Sequence, residues 1–131
     1  MGSYGTEINR LMKTIDAIRG DESDMPTQQV QAFLAVALRP GLTMQDMSEM
    51  VGMSQASCSR NVSALSKWHR LDKPGLDYIE AVEDPRERRR KIMYLTPKGR
   101  TRMTKALEAL TGGPVHDFTS PTWREAQATI R

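Results

Sequence analysis

The chain has 131 residues, of which 38% are hydrophobic and 27% charged, a composition that suits one compact domain and excludes a disordered chain. Its single cysteine, Cys58, excludes an intramolecular disulfide. Together with only two histidines, it is too few for a transition-metal site. The formal net charge is only +3, and residues 86–91 alone hold five cations. No apolar run approaches the roughly 20 residues that span a bilayer, and the N-terminus lacks a secretion signal. We therefore expect a cytoplasmic protein that does not contact a membrane.

Two helices are predicted at the start of the chain. Residues 6–19 place apolar side chains at spacings of three and four, which is the pattern of a helix with one apolar stripe. Turn and charged residues at 20–24 end this helix, and a second helix follows over residues 27–38 until Pro40 stops it. The apolar stripe of the first helix comprises Ile8, Leu11, Met12, Ile15 and Ile18. The predicted inward face of the second comprises Val30, Phe33, Leu34, Ala37 and Leu38.

Two short helices separated by a glycine follow. Thr43 is suited to cap a helix over residues 45–51, and Ser54 is suited to cap the next, which we expect to run to residue 68. Gly52 lies between them. Two short helices joined by a tight turn form a helix-turn-helix pattern. Their predicted inward residues are Met47, Met50, Val51, Cys58, Val62 and Leu65.

The periodicity then changes from 3.6 to 2. Residues 76–82 and 91–95 are predicted strands, and the polar connection between them, residues 83–90, holds most of the cations. Thr96 and Pro97 begin a further helix that ends at Gly112, with Met103, Ala106, Leu107 and Leu110 directed inward. A short last helix is expected after Pro121.

This order of elements, together with particular residues, resembles the MarR family of bacterial regulators. The resemblance covers residues 29–99, and its most specific part is the acidic, arginine-rich segment 84–89 followed by Leu95-Thr96-Pro97-Lys98-Gly99. It implies a mainly α (α+β) winged helix-turn-helix fold whose terminal helices form a dimerisation region. The expected organisation is an N-terminal dimerisation helix (1–24), the DNA-binding domain (25–100), and a C-terminal dimerisation helix with a tail (101–131).

The sequence departs from the family pattern at two places. The two strands 76–82 and 91–95 with their connection correspond to the family's wing, and the helix that Ser54 caps corresponds to its recognition helix. Residues 68–74 form an insertion of about six residues between the recognition helix and the first wing strand. This insertion either lengthens the recognition helix or adds a loop. Glu87 stands two residues before Arg89, where the family typically has an aspartate that braces the wing arginine. We expect Glu87 to serve as that brace.

The candidate DNA-binding residues lie on the second helix of the pair and on the wing. An α-helix fits the major groove, where Arg60 suits guanine and Gln55 and Asn61 suit adenine. A narrow minor groove attracts an inserted arginine, for which Arg89 is the first candidate. The helix set comprises Ser54, Gln55, Ser57, Ser59, Arg60, Asn61 and Lys67, and the wing set comprises Arg86, Arg88, Arg89, Arg90 and Lys91.

The terminal helices carry more apolar residues than a small winged helix needs for its own core. Paired across a two-fold axis, their stripes would cover each other, so a homodimer is expected. The predicted dimerisation residues are Ile8, Leu11, Ile15, Ile18, Met103, Leu107 and Leu110.

These features predict a regulator, most often a repressor, that binds a pseudo-palindromic operator in double-stranded DNA as a homodimer. A winged-helix module that binds and inhibits another protein remains an alternative, as does an origin-binding replication factor. No motif of an activated nucleophile or a phosphate-binding loop is present, so we expect neither an enzyme nor a cofactor. The sequence leaves open whether a small-molecule effector binds, and none is predicted. Cys58 is expected to pack in the core rather than to sense oxidation.

Overall fold

The computed structural model describes residues 3–22, 24–69 and 72–130. Helices predominate, and two small antiparallel sheets accompany them. The elements in chain order are α1 (Gly5–Arg19), α2 (Thr27–Leu38), β1 (Leu42–Thr43), α3 (Met44–Val51), α4 (Gln55–Leu65), β2 (Trp68–His69), β3 (Lys73–Pro74), β4 (Ile79–Asp84), β5 (Glu87–Leu95), α5 (Pro97–Thr111) and α6 (Trp123–Ile130). The predicted winged helix-turn-helix fold is confirmed. Within these ranges no helix combines the length and apolar content needed to cross a membrane.

The helix-turn-helix comprises α3 and α4, and local hydrogen bonds define where each begins. The Thr43 hydroxyl accepts from the Asp46 N–H at 3.0 Å, and the Asp46 carboxylate accepts from the Thr43 N–H at 3.0 Å, which forms a capping box. Gly52 ends α3 in the left-handed conformation (φ 70°), which costs glycine no steric strain. The Ser54 hydroxyl then accepts from the Ser57 N–H and caps α4. All three caps predicted from the sequence, including Thr96 on α5, are present.

The α2 helix has its predicted bounds but a different buried face. The fully buried residues are Phe33 with Ala32 and Val36, whereas Leu38 is 75% exposed and Leu34 is also exposed. The inward face predicted from the sequence was therefore wrong at these two leucines. Residues 32–38 are all apolar, so their periodicity does not determine which side of the helix is buried.

Helix α4 ends at Leu65, three residues earlier than predicted, and within the insertion the strands β2 (Trp68–His69) and β3 (Lys73–Pro74) pair in antiparallel orientation. Trp68 pairs with Pro74 in the small β2–β3 sheet. At its base, the N–H groups of residues 75–78 donate to carbonyl oxygens of residues 64–67. Two of these bonds, to the carbonyl oxygens of Ala64 and Leu65, satisfy groups that the end of α4 would otherwise leave unpaired.

The paired strands of the wing extend further than predicted, and the connection between them is shorter. In the sheet order β1-β5-β4, the β4–β5 pairing runs from Ile79 with Leu95 to Asp84 with Glu87, so Pro85 and Arg86 alone form the tip. Most of the wing cations therefore lie in strand β5 instead of in a loop. Residues 87–91 of β5 are all exposed, so this part of the strand lacks the alternation that marks a half-buried strand.

Helices α1 and α5 pack side by side in antiparallel orientation. The end of α1 at Gly20 lies beside Arg102, and the end of α5 at Gly112 lies beside Arg10. Ile18 and Met103 are each only 3% exposed and belong to the core of the chain. These two residues are therefore corrected from the predicted dimerisation set to core residues, because the single chain already buries both in its core cluster.

The C-terminal helix α6 folds back onto the wing sheet of its own chain. The Trp123 ring lies 5.5 Å from the Tyr94 ring, and the Arg100 guanidinium donates to the Glu125 carboxylate at 2.6 Å. That ion pair, with the Thr122 N–H, lowers the pKa of Glu125 to about 2. In the segment before α6, Ser120 is fully buried, so this segment packs against the rest of the domain.

Candidate nucleic-acid interface

The N-terminal half of α4 presents a polar face to solvent. Gln55, Ser59 and Arg60 are exposed, and Ser57 is half-buried. The Arg60 guanidinium donates to the Ser57 hydroxyl at 3.0 Å. This face carries hydrogen-bond donors and acceptors of the kind that bind base edges and phosphates.

Two residues predicted for this face lie elsewhere. The Asn61 side chain is only 9% exposed and donates to the Ser57 carbonyl oxygen at 2.9 Å and to Gln28 at 3.3 Å. It joins α4 to α2 and is not placed to contact a base edge. Lys67 is exposed but follows the end of α4, so it is not part of the helical face. The polar character of Asn61 suggested exposure, but it lies three residues after Cys58 and four before Leu65, both fully buried, and therefore on the inward side of the helix.

A buried carboxylate organises the tip of the wing. Asp84 is fully buried, and its carboxylate accepts from the Arg86 N–H at 3.0 Å and from the Arg90 Nε at 2.7 Å. The bond from the Arg86 N–H, followed by that from Arg90, lowers the pKa of Asp84 below its usual value. Asp84 therefore remains ionised at neutral pH and holds Arg90 against the hairpin.

This arrangement differs from the brace predicted at Glu87. Glu87 is exposed, and in the described part of the chain it forms no ion pair with an arginine. Asp84 is the bracing residue of this wing, a role that the family pattern did not indicate for it. Its signal was the dipeptide Asp84-Pro85, since an aspartate often accepts from the N–H two residues later in a turn.

The polar face of α4 and the wing cations meet in one cleft of about 340 Å³. Gln55 and Ser59 line it from α4, residues 89–91 line it from β5, and residues 43–45 line it from the start of α3. Arg88, Arg89 and Lys91 are exposed and form no ion pair within the described ranges. The cleft therefore combines positive charge with polar groups from two elements, as a surface for a polyanion requires.

Cys58 lies outside this cleft. It is fully buried in the core cluster, and desolvation raises the pKa of its thiol. Its packing role predicted from the sequence is consistent with this position, because a buried thiol is poorly reactive. No group of three or more potential metal ligands occurs in the portion of the chain that the structure describes.

The sequence matches no protein-family model and no curated protein. In structure the chain is similar to the MarR family transcription regulator SP03579, with 18% identity, 82% coverage of this chain, 59% coverage of that chain and a TM-score of 0.56. Transcriptional regulator Tm0710 from Thermotoga maritima has 16% identity, 82% coverage of this chain, 66% coverage of that chain and a TM-score of 0.60. A point mutant of MepR from S. aureus bound to an oligodeoxyribonucleotide has 16% identity, 79% coverage of this chain, 69% coverage of that chain and a TM-score of 0.61.

These similarities concern the fold. The chain spans 59% and 66% of the first two structures, which is less than two thirds of each. The resemblance to MarR-family regulators drawn from the sequence is confirmed as a shared winged-helix fold.

Proposed function

On the basis of this fold, we propose that the chain is a sequence-specific, double-stranded DNA-binding regulator of transcription that acts as a homodimer, most often as a repressor. The observation that carries the proposal is the cleft in which Gln55 and Ser59 of α4 lie beside residues 89–91 of the wing. A winged helix needs these two elements to be adjacent, because one enters the major groove while the other reaches the neighbouring backbone or minor groove.

The recognition helix has a suitable length and chemistry for the major groove. Its 11 residues extend about 16 Å, somewhat more than the groove width of about 12 Å. Arg60 would bind a guanine through two hydrogen bonds, and Gln55 would bind an adenine. Asn61 is excluded from this set, because its side chain is buried and hydrogen-bonded within the protein.

The wing would provide contacts that depend less on sequence. Arg89 is exposed and is our candidate for insertion into the minor groove, where a narrow A·T-rich segment has enhanced negative potential. Arg88 and Lys91 would contact phosphates. A dimer that neutralised about eight phosphates would lose about a thousandfold or more in affinity between about 50 and 200 mM salt.

The proposed dimer interface is the exposed stripe of α1 with the adjoining part of α5. Ile8, Leu11, Met12 and Ile15 are 44–62% exposed, and Leu110 is 43% exposed. Leu107 is partly buried and lies at the edge of this face. A two-fold axis through this exposed stripe would pair the same residues on both protomers. It would also set two recognition helices on half-sites about one helical turn apart.

Selection from random duplex DNA, followed by a salt titration on the enriched pool, tests this function. We expect an inverted repeat with half-sites about one turn apart and a steep loss of affinity with salt. Arg60→Ala should relax one position of the preference, whereas Arg89→Ala should weaken binding to most sequences. Lys105→Ala, which removes an exposed cation of α5, serves as the matched control. Absence of enrichment, with weak or no binding, would contradict the proposal.

One observation favours the alternative of a protein-binding module. Trp68 in strand β2 is 59% exposed, and exposed tryptophans are frequent at protein interfaces. The same selection discriminates between the two functions, because a module of this kind would enrich no DNA sequence.

A further inference from the structure

Three polar side chains form a connected series along the first turns of α4. Ser54, Ser57 and Arg60 are spaced by three residues, so they lie on one side of the helix. The Ser57 N–H donates to the Ser54 hydroxyl at 3.1 Å, which caps the helix. The Ser54 hydroxyl donates to the Ser57 hydroxyl at 3.1 Å, and the Arg60 Nη2 donates to the same Ser57 oxygen at 3.0 Å.

The Ser57 hydroxyl is not needed to cap the helix. The cap uses only the backbone N–H of Ser57, so the side chain of this residue is available for another role. Its oxygen accepts from both neighbours, and this leaves its own hydrogen free to donate outward. Ser57 is therefore the link between the cap and Arg60.

Arg60 depends on this link for its orientation. In the described part of the chain no carboxylate pairs with Arg60, and Ser57 is the group that holds its guanidinium. The bond uses one hydrogen of Nη2, which leaves the other hydrogen of Nη2, both of Nη1 and that of Nε. These remaining donors form the planar fork that matches O6 and N7 of guanine.

Resting on the DNA-binding function proposed above, we propose that Ser57 is a positioning residue that determines specificity: it orients Arg60 for guanine. A free arginine side chain has many rotamers and loses this freedom on binding. Because Ser57 already restricts Arg60 in the unbound protein, correct pairing costs less conformational entropy. A base that lacks the two acceptors of guanine gains nothing from this orientation, so the preference for guanine increases.

The test compares base preferences among variants of the full chain in a selection from random duplex DNA. Arg60→Ala identifies the position that Arg60 reads. At that position, Ser57→Ala should lower the preference for guanine about three- to tenfold, a fraction of what a bidentate contact provides. Preferences at the other positions should not change. Ser57→Thr, which keeps the hydroxyl, should restore the guanine preference.

Ser3→Ala is the matched control, because it removes the hydroxyl of an exposed serine that precedes α1 and lies outside the proposed DNA-binding surface. Thermal unfolding of each variant separates specificity from folding. An unchanged guanine preference in Ser57→Ala would overturn the inference. An equal loss at all positions would also overturn it, because Ser57 would then support only the helix. If the unmodified chain enriches no sequence, the DNA-binding function itself fails, and the inference fails with it.

Discussion

Leu11→Glu should disrupt the proposed dimer without unfolding the chain. Leu11 lies on the exposed stripe of α1 and is 54% exposed in the single chain. Complete burial of a leucine side chain contributes about 1.5–3 kcal/mol, so the exposed half would contribute about 1 kcal/mol on association. A two-fold interface contains the residue twice, which gives about 2 kcal/mol or about a 30-fold change in the dimer Kd. Burying a carboxylate adds a desolvation cost, so we expect the Kd to rise at least about 100-fold.

Sedimentation equilibrium over a range of protein concentrations measures this effect. Asn9→Glu is the control, because it adds the same charge at an exposed position of α1 outside the apolar stripe. Thermal unfolding should show that Leu11→Glu leaves the core intact. A dimer that both variants leave unchanged would show that the interface lies elsewhere. A chain that is monomeric at all concentrations would refute the homodimer.

Three further changes test the fold and the wing. Asp84→Asn should weaken DNA binding, and it should also reduce the loss of stability at acid pH. A carboxylate with a lowered pKa stabilises the fold above its unfolded pKa, and it loses this contribution as the pH falls through the folded pKa. Thr43→Ala should cost about 1 kcal/mol in urea unfolding through loss of the capping box. Gly99→Ala should lower the free energy of unfolding by more than about 3 kcal/mol in the same assay, because the new Cβ would lie 2.0 Å from the Tyr78 carbonyl oxygen. Gly113→Ala is its control, because a Cβ at that position meets no atom within 4 Å.

Each of these predictions has a contradicting result. An unchanged dependence of melting temperature on pH in Asp84→Asn would show that another group controls acid stability. Urea midpoints equal to that of the unmodified chain would refute the cap at Thr43. Equal stabilities of the Gly99 and Gly113 variants would refute the close approach of Gly99 to the Tyr78 carbonyl.

The starts of helices α3, α4 and α5 were predictable because their signals are local. A cap depends on a side-chain oxygen and an N–H two or three residues later, and both are visible in the sequence around Thr43, Ser54 and Thr96. The order of helices and strands followed from the change in hydrophobic periodicity. The general position of the DNA-binding candidates followed from that order.

Details of the candidate site were less predictable, because they depend on contacts between distant segments. Asn61 is polar but lies on the side of α4 that packs near Gln28 of α2. The brace of the wing is Asp84 and not Glu87, because the hairpin brings the Arg86 N–H and the Arg90 side chain to the buried Asp84 carboxylate, whereas Glu87 remains exposed. Neither outcome follows from the residue type alone.

The sequence by itself determined the six helices, the two wing strands, their order and three of the helix caps, since hydrogen bonds and periodicities within a few residues specify them. Only the tertiary structure decided which side of the apolar α2 helix is buried, where α4 ends in favour of the β2–β3 sheet, and which residues of α1 and α5 remain exposed. These outcomes depend on the packing of whole elements against one another, and a run of apolar or polar residues is compatible with several such packings. The convergence of α4 and the wing in one cleft is of the same kind, because residues 55–59 and 89–91 meet only once the sheet has formed.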